Sequence, residues 1–165
     1  MYAFAPTTNA AKSELYRELV QAAEALIADE PDAVANMANL AALIWQFVPR
    51  LNWAGFYRTT KNNEGDDELV LGPFIGKPAC IRIAFGQGVC GTAAASGASQ
   101  LVADVHAFPG HIACDADSRS ELVVPVHRDG RVIAAIDLDS PDPARFDADD
   151  RSGLEQLASR IAARI

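Results

Sequence analysis

Residues 121–139 read ELVVPVHRDGRVIAAIDLD, and this stretch indicates the architecture of the chain more directly than any other. Two runs rich in β-branched residues, 121–127 and 131–139, flank the dipeptide Asp129-Gly130. Asp-Gly between two such runs is a strong signal for a β-hairpin with a tight turn. We therefore expect two adjacent antiparallel strands here.

The flanking segments extend this hairpin into a sheet covered by helices. Further extended runs are expected at residues 52–58, 68–74, 80–84 and 100–103, with a short helix at 89–95. Helical spacing of apolar residues predicts three longer helices: one that Ser13 caps, one that starts at Pro31-Asp32, and one at about 149–163. The order predicts an α+β fold in which a mostly antiparallel central sheet carries the N- and C-terminal helices on one face. We expect one domain over residues 1–165, with its core at about 13–163.

Composition excludes several classes of function. The 165 residues carry 22 acidic and 14 basic side chains, a net charge of −8, and such a surface repels nucleic acid. No run approaches the ~18 apolar residues of a membrane span, and no secretory signal pattern is visible, so we expect a cytoplasmic protein that does not bind membranes. Three cysteines, an odd number, fit a reducing compartment better than a paired disulfide framework.

The cysteines are the first candidates for chemistry. Cys114 lies in the segment DVHAFPGHIACDADSR, residues 104–119, and long irregular loops of this kind are often functional. A loop cysteine is more exposed and reactive than one on a core strand, although a small apolar residue beneath the loop is the alternative. Cys80, beside a proline at a strand start, is a candidate resolving thiol, and Cys90 fits a structural role equally well.

Three carboxylates form the second candidate group. Asp137 and Asp139 alternate around Leu138, so both point to one face of their strand. Pairing through the predicted turn places Glu121 roughly opposite residues 138–139. Converging like charges raise the pKa of at least one member, which suits proton donation or the binding of an ammonium group. The alternative is a solvated sheet face.

An aromatic pair lies on the first predicted strand. Trp53 and Tyr57 alternate with Gly55 and share one face. Such a pair is commonly core packing, but beside a carboxylate cluster it could line a pocket for a thioether or a cation. Gly55 would then leave room for a ligand.

Taken together, these segments resemble the free methionine-(R)-sulfoxide reductases, a family of single GAF domains. The resemblance covers about residues 13–160 and rests on NWAGFY (52–57), LVLGPF (69–74), GVCGTA (88–93), DVH (104–106), GHIACD (110–115), SE (120–121) and IDLDS (136–140). GAF domains are common and mostly bind ligands without catalysis, so the three cysteines in these contexts carry the specificity.

The resemblance implies a role for each candidate residue. Cys114 would attack the sulfoxide, Cys80 would be the resolving thiol and Cys90 a possible auxiliary thiol. The carboxylates at positions 121, 137 and 139 would bind substrate and assist protonation, and Trp53 would line the pocket. The family is expected to use thioredoxin as reductant, to need no bound cofactor or metal, and often to form homodimers. Two departures are an acidic first hairpin, residues 62–68, and Asp117 beside the nucleophile.

Two other functions remain open from the sequence. A GAF module could sense a small molecule without chemistry, but sensors usually accompany output domains. Cys80, Cys90, His111 and Cys114 have the composition of a zinc site, although the usual CxxC spacing is missing.

Overall fold

Six antiparallel strands form one sheet in the computed structural model, which describes residues 4–110 and 115–165. The strands are β1 Trp53–Lys61, β2 Asp67–Gly76, β3 Arg82–Ala84, β4 Gln100–Val102, β5 Ser120–Arg128 and β6 Arg131–Ser140. The helices are α1 Lys12–Ile27, α2 Ala33–Phe47, α3 Gly88–Ser96 and α4 Ala148–Ile161. The strand order across the sheet is β3-β2-β1-β6-β5-β4.

The central hairpin forms as the sequence predicts. Asp129 and Gly130 both adopt positive φ, 51° and 76°, which is the backbone of a type I′ turn. The turn pairs Arg128 with Arg131, and a β-bulge between Val126 and His127 then shifts the register by one residue, so that Glu121 lies opposite Asp139 and Val123 opposite Asp137. The bulge matters for the site, because without it Glu121 would lie opposite Leu138 and would point to the other face of the sheet from Asp137 and Asp139.

The two faces of the sheet carry different elements. Alternate residues of β1, β5 and β6 pack against α1, α2 and α4 in the larger core; they include Ala54, Phe56, Leu122, Val124, Ile136 and Leu138. This arrangement confirms that the N- and C-terminal helices share one face. The residues in between point to the opposite face, where α3 and the loops pack against them. Trp53, Tyr57, Glu121, Asp137 and Asp139 point to this second face.

Helix starts show one difference from the sequence prediction. Asp32 caps α2 by accepting a hydrogen bond from the Ala35 amide at 2.8 Å, and Asp147 forms a capping box with Asp150 at α4. Ser13 does not cap α1, because the helix already begins at Lys12 and has no side-chain cap. The Lys12 ammonium instead pairs with Asp147, the N-cap of α4, and with Asp150 in its first turn, so tertiary ion pairs hold this helix start.

None of the helices within the described residues is both long and apolar enough to cross a bilayer.

Candidate active site

The three predicted carboxylates lie together on the sheet face that α3 covers. Glu121 of β5 and Asp139 of β6 are direct cross-strand partners, and Asp137 is two residues from Asp139 on the same face. Glu121 and Asp137 are each 6% exposed, so the solvated-face interpretation is wrong for these two. Asp139 is partly buried.

Burial governs the protonation of this cluster. Loss of hydration raises the pKa of Glu121 well above its usual value, and the charges of Asp137 and Asp139 raise it further. Burial also raises the pKa of Asp137 to about 7, against hydrogen bonds from Cys90 and Glu121 that lower it. The pKa of Asp139 is raised by burial and then by Asp137. The cluster therefore holds protons near neutral pH, which a proton donor to a sulfoxide oxygen requires.

Cys90 packs directly against the carboxylates from the first turn of α3. Its side chain is a free thiol, 4% exposed, and its sulfur lies 4.0 Å from Oε1 of Glu121. Burial raises the pKa of the Cys90 thiol well above its usual value, and Asp137 and Glu121 add to that effect. A neutral thiol in this position is a poor nucleophile. Cys90 is therefore a member of the acidic cluster, a role that the sequence pattern did not suggest.

Trp53 and Tyr57 form an aromatic wall beside the cluster. Their ring centroids are 5.9 Å apart, and Trp53 also stacks on Phe74 of β2 at 5.2 Å. The indole N–H donates to the Lys77 carbonyl at 3.1 Å, and the Tyr57 hydroxyl donates to the Cys80 carbonyl at 3.0 Å. These hydrogen bonds satisfy the polar ends of both rings and hold the wall rigidly.

Gly55 does not leave room for a ligand, so that expectation is wrong. A Cβ at this position would lie 2.4 Å from the Cβ of Phe74 and 2.8 Å from the Trp53 ring. The space above Gly55 is filled by these two side chains. The glycine instead allows the indole to lie flat over its own strand, which brings Trp53 against Phe74.

A polar network that the sequence pattern did not reveal borders the site. The Asn52 amide donates to Asp115 at 3.2 Å and to Ser118 at 3.0 Å, and Lys77 bridges Asp115 and Asp117. The amide N–H of Asp117 and the Lys77 ammonium lower the pKa of Asp115. Lys77 thereby offsets the two acidic side chains that follow Cys114 in sequence. An isolated lysine in a turn gave no signal of this pairing.

A cavity of about 40 Å³ joins these parts. Its lining includes Trp53, Tyr57, Cys90 and all three carboxylates, together with Gly88 and Val89 of the first turn of α3. Every predicted binding residue therefore faces one enclosure, as do Asp115 and Ser118 from the polar network.

Of the two other predicted cysteines, only Cys80 lies within the described residues. Cys80 is half-buried beside Tyr57 and takes part in a disulfide bond. In this state its sulfur is not available as a zinc ligand, which weakens the predicted Cys₃His site. Cys114, predicted to be the nucleophile, lies outside the described residues, as does His111.

Known proteins with the same architecture identify the family. A GAF-domain family model matches residues 34–165. The free methionine-R-sulfoxide reductase of Escherichia coli is 46% identical over 150 residues, which are 91% of this chain and 88% of that protein. The homologous reductase of Saccharomyces cerevisiae is 44% identical over 160 residues, 94% of this chain and 88% of that one.

A solved structure supports the same assignment. The X-ray structure of free methionine-R-sulfoxide reductase from Neisseria meningitidis, in complex with its substrate, superimposes with a TM-score of 0.92 at 46% identity and covers 99% of this chain and 95% of that chain. The identities and coverage lie far above the level at which only a fold is shared. The chain therefore belongs to the free methionine-R-sulfoxide reductase family of GAF-domain proteins.

Proposed function

We propose that this protein reduces free methionine-(R)-sulfoxide to methionine. The observation that carries the proposal is the single cavity in which three carboxylates with raised pKa values, Glu121, Asp137 and Asp139, face the Trp53–Tyr57 wall. Relatives covering nearly the whole chain carry the name of this activity, and one of them is solved with its substrate. A pocket that only binds a ligand has no need for carboxyl groups that keep their protons near neutral pH, whereas reduction of a sulfoxide needs a proton donor.

Recognition of a free amino acid follows from the charge of the cavity. The substrate ammonium adds a positive charge that a carboxylate of the cluster can bind once it is ionised. A methionine sulfoxide residue inside a peptide lacks that ammonium, so it would lose this contact with the cluster. The side chain of the substrate would pack against Trp53, because a polarizable sulfur gains contact energy at an aromatic ring.

Protonation is the second task of the cluster. A sulfoxide sulfur resists attack until its oxygen is protonated or strongly hydrogen-bonded. A carboxyl group that keeps its proton near pH 7 can donate it at that oxygen, and burial gives Glu121, Asp137 and Asp139 this property. One carboxylate would bind the ammonium while a neutral neighbour donates, since both forms coexist in a coupled cluster.

The redox step requires a thiolate. Cys114 would attack the sulfoxide sulfur, and cleavage of the S–O bond then yields methionine and a Cys114 sulfenic acid, with the oxygen transferred to the enzyme. Two electrons pass from the cysteine sulfur to the substrate. The Cys80 thiol would then condense with the sulfenic acid to form a disulfide and release water.

The state of the cysteines supports Cys80 as the resolving thiol. Cys80 takes part in a disulfide bond, as a resolving thiol does after turnover, whereas Cys90 is a buried free thiol. A thioredoxin-type dithiol in the cytoplasm would reduce this disulfide by thiol–disulfide exchange, so that no bound cofactor is needed.

We also propose that two copies pair through α2. The fifteen residues of this helix include no charged side chain, and Val34 and Trp45 remain 49% and 38% exposed on its outer face. A protein with a net charge of −8 repels its own copy over most of its surface, so a neutral apolar face is where two copies can meet. Light scattering should give twice the 17.6 kDa chain mass, and a Trp45→Glu variant should give the monomer mass. A monomeric parent protein would contradict this.

The activity has a direct test. The protein should be incubated with a dithiol and separately with free methionine-(R)-sulfoxide, the S epimer and N-acetylmethionine sulfoxide, with methionine measured by chromatography. We expect turnover with the free R epimer alone. Binding of the free sulfoxide by calorimetry without any turnover would instead favour a sensing module.

A further inference from the structure

Three potential ligand atoms converge at the floor of the cavity. The sulfur of Cys90 and one carboxylate oxygen from each of Glu121 and Asp137 all lie within 4.8 Å of one another. The three side chains come from α3, β5 and β6, so the packing of a helix on the sheet brings them together. All three residues are buried, with exposures of 4%, 6% and 6%.

A second observation separates this cluster from an ordinary group of acids. The Oδ1 atom of Asp137 is buried and has no hydrogen-bond partner among the described residues, and Asp137 lines the cavity. A buried carboxylate oxygen without a donor costs free energy unless a ligand supplies the missing contact. A cation or a hydrogen-bond donor next to this oxygen would supply that contact.

The donor set selects among cations. Mg²⁺ and Ca²⁺ prefer oxygen ligands only, whereas a thiolate with two carboxylates suits a borderline-soft ion that accepts three protein ligands in tetrahedral geometry. Zn²⁺ is the common ion of this class. Three protein ligands leave a fourth position, which the cavity can fill with water or with a group of a bound small molecule.

We propose that Cys90, Glu121 and Asp137 form a binding site for a thiophilic divalent cation of the Zn²⁺ class. Binding would replace the protons of these groups, so up to three protons leave as one dication enters. The site differs from a zinc centre built from Cys80, Cys90, His111 and Cys114, because it shares only Cys90 with that set. It is an alternative to the expectation that this chain needs no bound metal.

The cation would act as an inhibitor of the proposed reductase. It occupies the carboxylates that would bind the substrate ammonium and donate the proton, so cation and substrate exclude each other. This second part rests on the proposed function, whereas the binding itself does not.

Binding can be tested on the unmodified protein in its disulfide state with Co²⁺, whose absorption spectrum reports its ligands. In that state Cys80 is already disulfide-bonded and Cys90 is a free thiol. We expect one Co²⁺ per chain, tetrahedral visible bands and a near-ultraviolet thiolate-to-cobalt band. Zn²⁺ should displace the Co²⁺.

Variants assign the ligands. Cys90→Ser should lose the near-ultraviolet band. Asp137→Asn, which keeps the Cys90 thiol, should weaken Co²⁺ binding at least tenfold. Glu24→Gln, at an exposed position on α1, is the matched control and should bind Co²⁺ like the parent. Absence of a stoichiometric cobalt complex, or a thiolate band that persists in Cys90→Ser, would overturn the proposal.

Competition separates the two proposals. Free methionine sulfoxide should raise the apparent Kd for Co²⁺, and Zn²⁺ should raise the KM for the sulfoxide without lowering kcat. Cobalt binding in a protein without reductase activity would overturn the proposed function alone. Reductase activity without cobalt binding would overturn the metal site alone.

Discussion

Glu121 and Asp139 face each other directly across β5 and β6, and Trp53 of β1 pairs with Asp139 on the other side. Two acidic residues and an indole therefore form one row across three adjacent strands, on the sheet face that α3 covers. Like charges directly opposite each other destabilise a sheet unless their charge is relieved. Here protons relieve it, because burial raises the pKa of both acids.

Stability should depend on the protonation of Asp137. Its pKa in the folded state is about 7, above the value of 3.8 for an unperturbed aspartate. Both states hold the proton below pH 4, and between pH 4 and 7 only the folded state holds it, so each rise in pH favours unfolding. The free energy of unfolding should fall across this window, and Asp137→Asn should flatten the fall. We expect the variant to melt about 5 °C above the parent protein at pH 8, which corresponds to ~2 kcal/mol. Equal pH dependence in both proteins would contradict the assigned pKa.

Catalysis should suffer more than stability when a carboxyl group is replaced. Glu121→Gln removes a proton donor or an ammonium ligand while keeping the shape, and loss of a general acid lowers kcat about 100-fold or more. Loss of the ammonium contact would raise KM instead. Asp139→Asn and Asp137→Asn complete the set, and steady-state kinetics with thermal melts separate the roles. A loss of stability in proportion to the loss of activity would show that the cluster has only a structural role.

Cys114→Ser should abolish methionine formation, because it removes the proposed nucleophile. We expect no product even in a single turnover with stoichiometric enzyme. The melting temperature of the reduced variant should stay within a few degrees of the reduced parent protein. Methionine release near the parent level in a single turnover would exclude Cys114 as the nucleophile.

Cys80→Ser is the matched cysteine control and should behave differently. Sulfenic acid formation needs only the nucleophile, so this variant should release about one methionine per chain and then stop with thioredoxin as reductant. Rapid quenching gives the burst, and mass spectrometry detects the oxidised cysteine. If Cys90→Ser shows this behaviour while Cys80→Ser cycles normally, Cys90 is the resolving thiol.

The aromatic wall should be sensitive to Gly55. In Gly55→Ala the new methyl group would lie 2.4 Å from the Cβ of Phe74, so β1, β2 or the Trp53 ring must shift. Overpacking of this kind costs about 1–3 kcal/mol. Denaturant unfolding should show that loss, with a raised KM for the sulfoxide. Thr60→Ala on the same strand should leave KM unchanged, and an unchanged KM in Gly55→Ala would exclude a role for Trp53 in substrate binding.

Features that obey local rules are specified by the amino-acid sequence alone. The Asp129-Gly130 turn identifies β5 and β6 as a hairpin and places Glu121 roughly opposite residues 138–139, whereas the β-bulge between Val126 and His127 decides that Asp139 is its partner. Alternation along β6 likewise placed Asp137 on the same face. The hairpin and the alternation along β6 need only a turn type and a two-residue period.

Tertiary packing alone determines which groups from distant segments share the cavity. The approach of Cys90 to Glu121 depends on how α3 packs on the sheet, and the pairing of Lys77 with Asp115 joins residues 38 positions apart. The same holds for Lys12, whose contacts with α4 replace the cap expected from Ser13, and for Gly55, whose free space is taken by Phe74. Such contacts depend on how whole helices and strands pack together. A pattern over a few neighbouring residues therefore cannot show which distant residue will be the partner.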